Sequence, residues 1–207
     1  MINDSDGSEL IRAIYKKDFN LVNQLLETNV NVNWQNSKLE TVLMIAVSRP
    51  AIEEDVATMV GNLIAKGADV NIRDKKGRTA LMHAAGFGFG HMLVINKILI
   101  AGADIDAQDN DLDTALIYGV KYKHPASVSQ LLSMGADVNK TNMLGNTALM
   151  LAIKTGYADM VEEILQNGAD RNIMNNEGMT ALDIAYRMGD SYRKLVHLLE
   201  NESSESE

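Results

Sequence analysis

Asp109, Asp111 and Asp113 stand at alternating positions, a spacing that lets three carboxylates converge on a hard cation, and His83 with Tyr118 would supply the acid–base partners of a metal-dependent enzyme. The glycine and distal glutamate of a calcium loop do not follow them, so the pattern is incomplete as a cation site. The four histidines, His83, His91, His124 and His197, include no pair at the helical His-x-x-x-His spacing of a zinc hydrolase. The chain has no cysteine, which excludes disulfides, thiolate metal sites and a cysteine nucleophile. Gly86-Phe87-Gly88-Phe89-Gly90 is glycine-rich but lacks the Gly-Lys-Ser/Thr ending and the preceding strand of a phosphate-binding loop. These residues therefore assign no catalytic group, no metal and no cofactor.

The formal charge of -9 is concentrated at the ends. Asp4, Asp6 and Glu9 at one end, and Glu200, Glu202, Glu205 and Glu207 at the other, carry no compensating lysine or arginine in residues 1–9 and 200–207. Between them the chain is nearly balanced, which argues against the positive footprint that nucleic-acid binding needs. No basic and apolar leader opens the sequence, and no apolar run reaches about 18 residues. A cytoplasmic chain with no membrane or nucleic-acid partner is the expectation.

The elements that must position any site are set by an internal repeat. Gly-Ala-Asp begins at Gly67, Gly102, Gly135 and Gly168, and Thr-Ala-Leu begins at Thr79, Thr114, Thr147 and Thr180, both with spacings of 35, 33 and 33 residues. Thr41-Val42-Leu43 and Asn29-Val30-Asn31-Val32-Asn33 are degenerate copies. The interval from each Gly-Ala-Asp position to the next threonine is 12 residues throughout, while extra length falls near Ser48–Asp55 and Gly86–His91.

Each unit is legible as a helix pair. The threonine hydroxyl can cap a short helix of small apolar residues. A second helix follows, in which Met160, Val161, Ile164 and Leu165 share one face. Gly168 then suits a left-handed helix end. Such a pair cannot bury its apolar face alone and must stack on its neighbours.

These two motifs, recurring in phase, resemble the ankyrin-repeat family, whose unit reads Gly-x-Thr-Pro-Leu-His-x-Ala-Ala, a second helix, then Gly-Ala-Asp-Val-Asn. The usual proline is replaced by Val42, Ala80, Ala115, Ala148 and Ala181, and the usual histidine by Met44, Met82, Ile117, Met150 and Asp183. The resemblance implies an all-α solenoid of stacked helix-turn-helix units with protruding β-turn or hairpin fingers. Its units would run at about 8–33, 34–71, 72–106, 107–139, 140–172 and 173–200. A flexible acidic terminus (1–7) and a disordered acidic tail (201–207) would flank this single domain.

The resemblance further implies a non-catalytic module that binds a protein or peptide on its concave face, acting as a monomer. Carried over by position, that face comprises Trp34, Arg73, Lys75, Lys76, Arg78, His83, Asn110, Asp111, Asp113, Tyr118, Tyr122, Met143 and Leu144. The finger tips would pass from basic to acidic to apolar, with Trp34, Tyr118 and Tyr122 as aromatic anchors. A dedicated inhibitor or immunity-type protein that blocks an enzyme is the alternative role within this class.

Overall fold

A computed structural model of the protein describes residues 4–48, 53–87 and 92–200. Six helix pairs follow one another: α1 (Asp4–Lys16) and α2 (Phe19–Leu26), α3 (Val42–Val47) and α4 (Glu53–Ala65), α5 (Ala80–Phe87) and α6 (Met92–Ile100), α7 (Ala115–Lys121) and α8 (Pro125–Ser133), α9 (Ala148–Thr155) and α10 (Ala158–Gln166), α11 (Ala181–Arg187) and α12 (Arg193–Glu200). A 3-10 turn, Asp190–Tyr192, precedes α12. Each odd-numbered helix packs on its partner and on the next odd-numbered helix, and the even-numbered helices form a second, outer row. Among the described residues there is no strand, only an isolated bridge between Gln35 and Thr41. The fingers between units are turns.

The starts of the inner helices follow from the repeated threonine. The Thr41, Thr114, Thr147 and Thr180 hydroxyls accept the backbone N–H three residues on at 3.2–3.3 Å, and Thr79 does so at 3.5 Å. This satisfies a helical donor that has no partner within the helix. The alanines that follow, such as Ala46, Ala84, Ala85, Ala152 and Ala185, are fully buried and let neighbouring inner helices approach closely. Leu43, Leu81, Leu116 and Leu149 are buried in the core, and α10 buries Met160, Val161, Ile164 and Leu165 as its periodicity requires.

The Asn of the Gly-Ala-Asp-Val-Asn motif cements one unit to the next. Asn33 Oδ1 accepts the Asp69 N–H at 2.8 Å and its amide donates to the Gly67 carbonyl at 3.0 Å. Asn71 repeats both bonds on Asp104 and Gly102, and Asn139 on Asp170 and Gly168. Where Asp106 replaces the asparagine, only the accepting bond, to the Asp137 N–H, remains, because a carboxylate has nothing to donate.

The first helix begins ahead of the boundary expected at residue 8. Residues 4–7, read from composition as part of a flexible terminus, belong to α1, and Gly7 lies so close to Trp34 that a Cβ there would collide with the indole. The acidic tail 201–207, and residues 49–52 and 88–91 of the two longer interhelical connections, lie outside the described residues.

Candidate interaction surface

Each finger is built on an Asn or Asp five residues before the capping threonine: Asn36, Asp74, Asp109, Asn142 and Asn175. Its Oδ1 accepts the N–H groups two and four residues later. In the fourth unit Asp109 takes Asp111 and Asp113, both at 2.9 Å. In the fifth, Asn142 takes Leu144 at 3.0 Å and Asn146 at 3.1 Å. Such side-chain closure replaces a strand ladder in a turn. The fingers are then linked by backbone bonds, from Lys75 N–H to the Lys38 carbonyl, Asn110 to Lys76, Met143 to Asp111 and Asn176 to Leu144, at 2.8–3.1 Å.

The third and fourth units use aspartate where the others use asparagine, and the residue nine positions on differs in step. Beside Asn36, Asn142 and Asn175 stand Ile45, Leu151 and Ile184, while beside Asp74 and Asp109 stand His83 and Tyr118. The second carboxylate oxygen explains the change. Asp109 Oδ2 accepts the Tyr118 hydroxyl at 2.7 Å, and Asp74 Oδ2 lies 3.1 Å from His83 Nε2 and 2.7 Å from Arg78 Nε. Burial pushes the Tyr118 phenol upward and the Asp109 hydrogen bond pushes it further, so it stays a proton donor. Burial acts to raise the Asp74 carboxyl as well, but the His83 and Arg78 hydrogen bonds outweigh it and hold the group far below the usual carboxylate range.

His83 also meets Ser48 Oγ through Nδ1 at 3.0 Å, and that hydroxyl reaches the Met44 carbonyl at 2.7 Å. The Ser48–His83–Asp74 chain has the order of a nucleophile, base and acid, but Asp74 is shared with Arg78. It therefore ties the second unit to the third and leaves the carboxylate's charge already compensated.

The alternating aspartates do not converge. Both Asp109 oxygens are engaged as described, and Asp113 accepts the Asn142 amide at 3.1 Å on Oδ1 and the Lys121 ammonium on Oδ2. Only Asp111 points its carboxylate to solvent in this finger. Among the described residues no group of three His, Asp or Glu side chains can hold a metal ion. The sequence pattern that suggested a cation is the closing device of a turn.

Of the residues expected on the concave face, Arg73, Lys75, Lys76, Asn110, Asp111, Tyr122, Met143 and Leu144 are exposed. Arg73 donates to the Gln108 carbonyl of the next finger. Lys75 and Lys76 form no ion pair with a described carboxylate, while Met143 and Leu144 are 54% and 64% exposed. His83, Asp113 and Tyr118, expected to face a ligand, are instead buried in the hydrogen bonds above. Arg78 and Trp34 are half-buried, the indole packed against α1 and the core. Tyr122 stacks on Tyr118 with ring centroids 6.0 Å apart and planes 9° from parallel, so the buried phenol supports the exposed one. His124 Nε2 lies 3.1 Å from the Gly86 carbonyl, which is a structural role.

Two features of this face were not evident from the motifs. A cavity of about 340 Å³ opens between the second and third units, with Met44 and Ile45 in its lining beside Tyr15, Lys38 and Arg78. The other feature lies in the fingers' left-handed position, which is Gly77, Gly145 and Gly178 in three units but Leu39 and Leu112 in the second and fourth, both at φ 58. At Gly77 and Gly145 the finger that follows crowds this position, whereas Gly178 has open space around it. A Cβ on Gly77 would lie 2.9 Å from the Asn110 backbone nitrogen, and one on Gly145 2.8 Å from that of Asn176. After Leu39 and Leu112 the facing residues are Lys75 and Met143, which carry no amide in the place of the Asn110 and Asn176 side chains. In both leucine fingers a glutamine amide, from Gln35 or Gln108, donates to the leucine carbonyl at 2.6 and 2.8 Å. The signal was present as a leucine in the glycine column of the repeat.

Comparison with known proteins gives a consistent result. The family description "Ankyrin repeats (3 copies)" matches residues 50–142 and "Ankyrin repeats (many copies)" matches 131–185. Together they run over more than half of the chain. A crystal structure of an ankyrin repeat domain from Acinetobacter baumannii AYE is similar, with a TM-score of 0.79 and 28% identity over 92% of this chain and 95% of that one. Among the described residues no helix is long and apolar enough to cross a membrane.

Proposed function

We propose that this chain, which belongs to the ankyrin-repeat family, is a non-catalytic interaction module that binds a protein or peptide partner across its fingers and concave face. Repeats of this kind are generally protein-interaction scaffolds, and stacking leaves one continuous surface whose chemistry changes from unit to unit. The observation that carries the reading is the row of finger tips. Lys75 and Lys76 extend without an ion pair among the described residues, and Met143 and Leu144, in the finger two units along, expose more than half their surface. A turn needs neither feature for its own stability, whereas an interface uses both: charge for register and apolar side chains for affinity.

The chain acts in this reading as a cytoplasmic monomer without cofactor. Affinity capture with the wild-type chain, run beside a variant carrying Lys75→Glu, Lys76→Glu, Met143→Ser and Leu144→Ser, tests it. The partner is retained by the first and lost by the second at equal thermal stability. Equal retention by the wild-type chain and the variant removes the surface from the function.

A further inference from the structure

Leu39 and Leu112 are conformationally costly and poorly packed. Both hold φ 58, a left-handed backbone that branched and long side chains disfavour, and both remain 43% exposed. Their side chains therefore return little burial for the strain. Each is nonetheless supported, since a glutamine of the same finger donates to the leucine carbonyl, and neither faces an asparagine amide like those of Asn110 and Asn176 that crowd Gly77 and Gly145. A strained, supported and exposed apolar residue is a reason to look for a ligand.

What lies between the two leucines selects the ligand. The finger of the third unit carries Lys75 and Lys76, and Lys38 adjoins Leu39; none of the three ammonium groups pairs with a described carboxylate. Glu40, the nearest acidic neighbour in the second finger, is held by the Asn36 amide at 2.8 Å. The backbone bonds from Lys75 to Lys38 and from Asn110 to Lys76 fix these tips in one row. The row reads apolar, basic, apolar, with the exposed Asp111 carboxylate beside Leu112 at its far end.

We propose that Leu39 and Leu112 are paired studs that grip a linear segment of the partner protein whose acidic centre lies over Lys75 and Lys76 and whose two ends are apolar. This inference rests on the reading of the fingers as the binding surface. Units stacked at helix-packing distances of about 8–10 Å separate the two leucines by about 16–20 Å. An extended segment rising about 3.3 Å per residue spans that distance in about five or six residues.

The test is to pan a phage-displayed library of random dodecapeptides on the full chain, on Leu39→Gly/Leu112→Gly and on Lys75→Glu/Lys76→Glu, with thermal melting of all three. Wild type enriches peptides in which Asp or Glu residues are flanked five or six positions apart by Leu, Ile, Met or Phe. The glycine variant melts no lower than wild type, because glycine accepts the left-handed backbone, yet binds the selected peptides at least about tenfold more weakly. Undiminished binding by the glycine variant, with binding lost in the glutamate variant, overturns the role of the leucines and leaves the surface in place. Undiminished binding by both variants overturns the surface as well. Enrichment of peptides without carboxylates, no enrichment at all, self-association of the chain through these fingers, or a glycine variant that melts many degrees lower each overturns the proposal.

Discussion

The Tyr118 hydroxyl donates to Asp109 Oδ2 at 2.7 Å, and both groups are buried. The two residues belong to different parts of one unit, a finger and an inner helix, and the bond ties the two together. Tyr118→Phe leaves a buried carboxylate oxygen without its donor and should cost about 1–3 kcal/mol in urea denaturation. Asp109→Asn with Tyr118→Leu recreates the Asn142 and Leu151 pairing of the next unit. That double variant should recover part of the loss, and a strictly additive result would show that the pair is not coupled.

Acid should weaken the second such pair. The Asp74 carboxyl is held well below its ordinary range, burial notwithstanding, by His83 and Arg78. A depressed folded-state value contributes stability that is present above the unfolded value of about 3.9 and is lost as the pH falls below it. The stability gap between wild type and Asp74→Asn, followed by denaturation from pH 7 to pH 3, should be constant down to about pH 4.5 and narrow below it. A gap that widens in acid would contradict the assignment.

Core packing makes a separate demand. Leu149 is fully buried in α9 as part of the hydrophobic core. Leu149→Ala should therefore remove about 2–5 kcal/mol, read as a lower melting temperature. Lys75→Glu with Lys76→Glu, on the exposed finger, should stay within about 0.5 kcal/mol of wild type.

Gly145 is tied to the finger that follows it. Its Cβ as alanine would meet Asn176 Oδ1 at 2.7 Å, and φ there is 72. Gly145→Ala should cost about 2–3 kcal/mol from strain and overlap combined. Replacing Asn176 by methionine removes the Oδ1 overlap but leaves the backbone nitrogen at 2.8 Å, so it should return only a small part of that loss, measured by the same unfolding curves.

The repeat period, the threonine caps and the buried face of α10 were all legible in the sequence, because each is a short-range pattern fixed by helix geometry. The position of a side chain within the concave face was less so. His83, Tyr118 and Asp113 have the polarity of surface groups, and only the Asp in place of Asn five residues before Thr79 and Thr114 indicated that an extra acceptor awaited a buried donor. Asp109 and Asp113 likewise looked like ligands for a cation until the N–H groups of their own finger and the side chains of Asn142 and Lys121 were placed around them. That arrangement depends on which atoms two adjacent units bring together, which no single unit's sequence states.

The leucine and glycine fingers restrict which units can be removed from the array. Excising the third unit alone would set Asn110 against Leu39 in place of Gly77, an overlap at the new seam. Excising the third and fourth together would set Met143 against Leu39, the same neighbours that Leu112 and Met143 already are. Excising the fourth unit alone would set Met143 against Gly77, which meets no such overlap, so the identity of the two fingers brought together, and not the number of units removed, decides whether a shortened array keeps its seams.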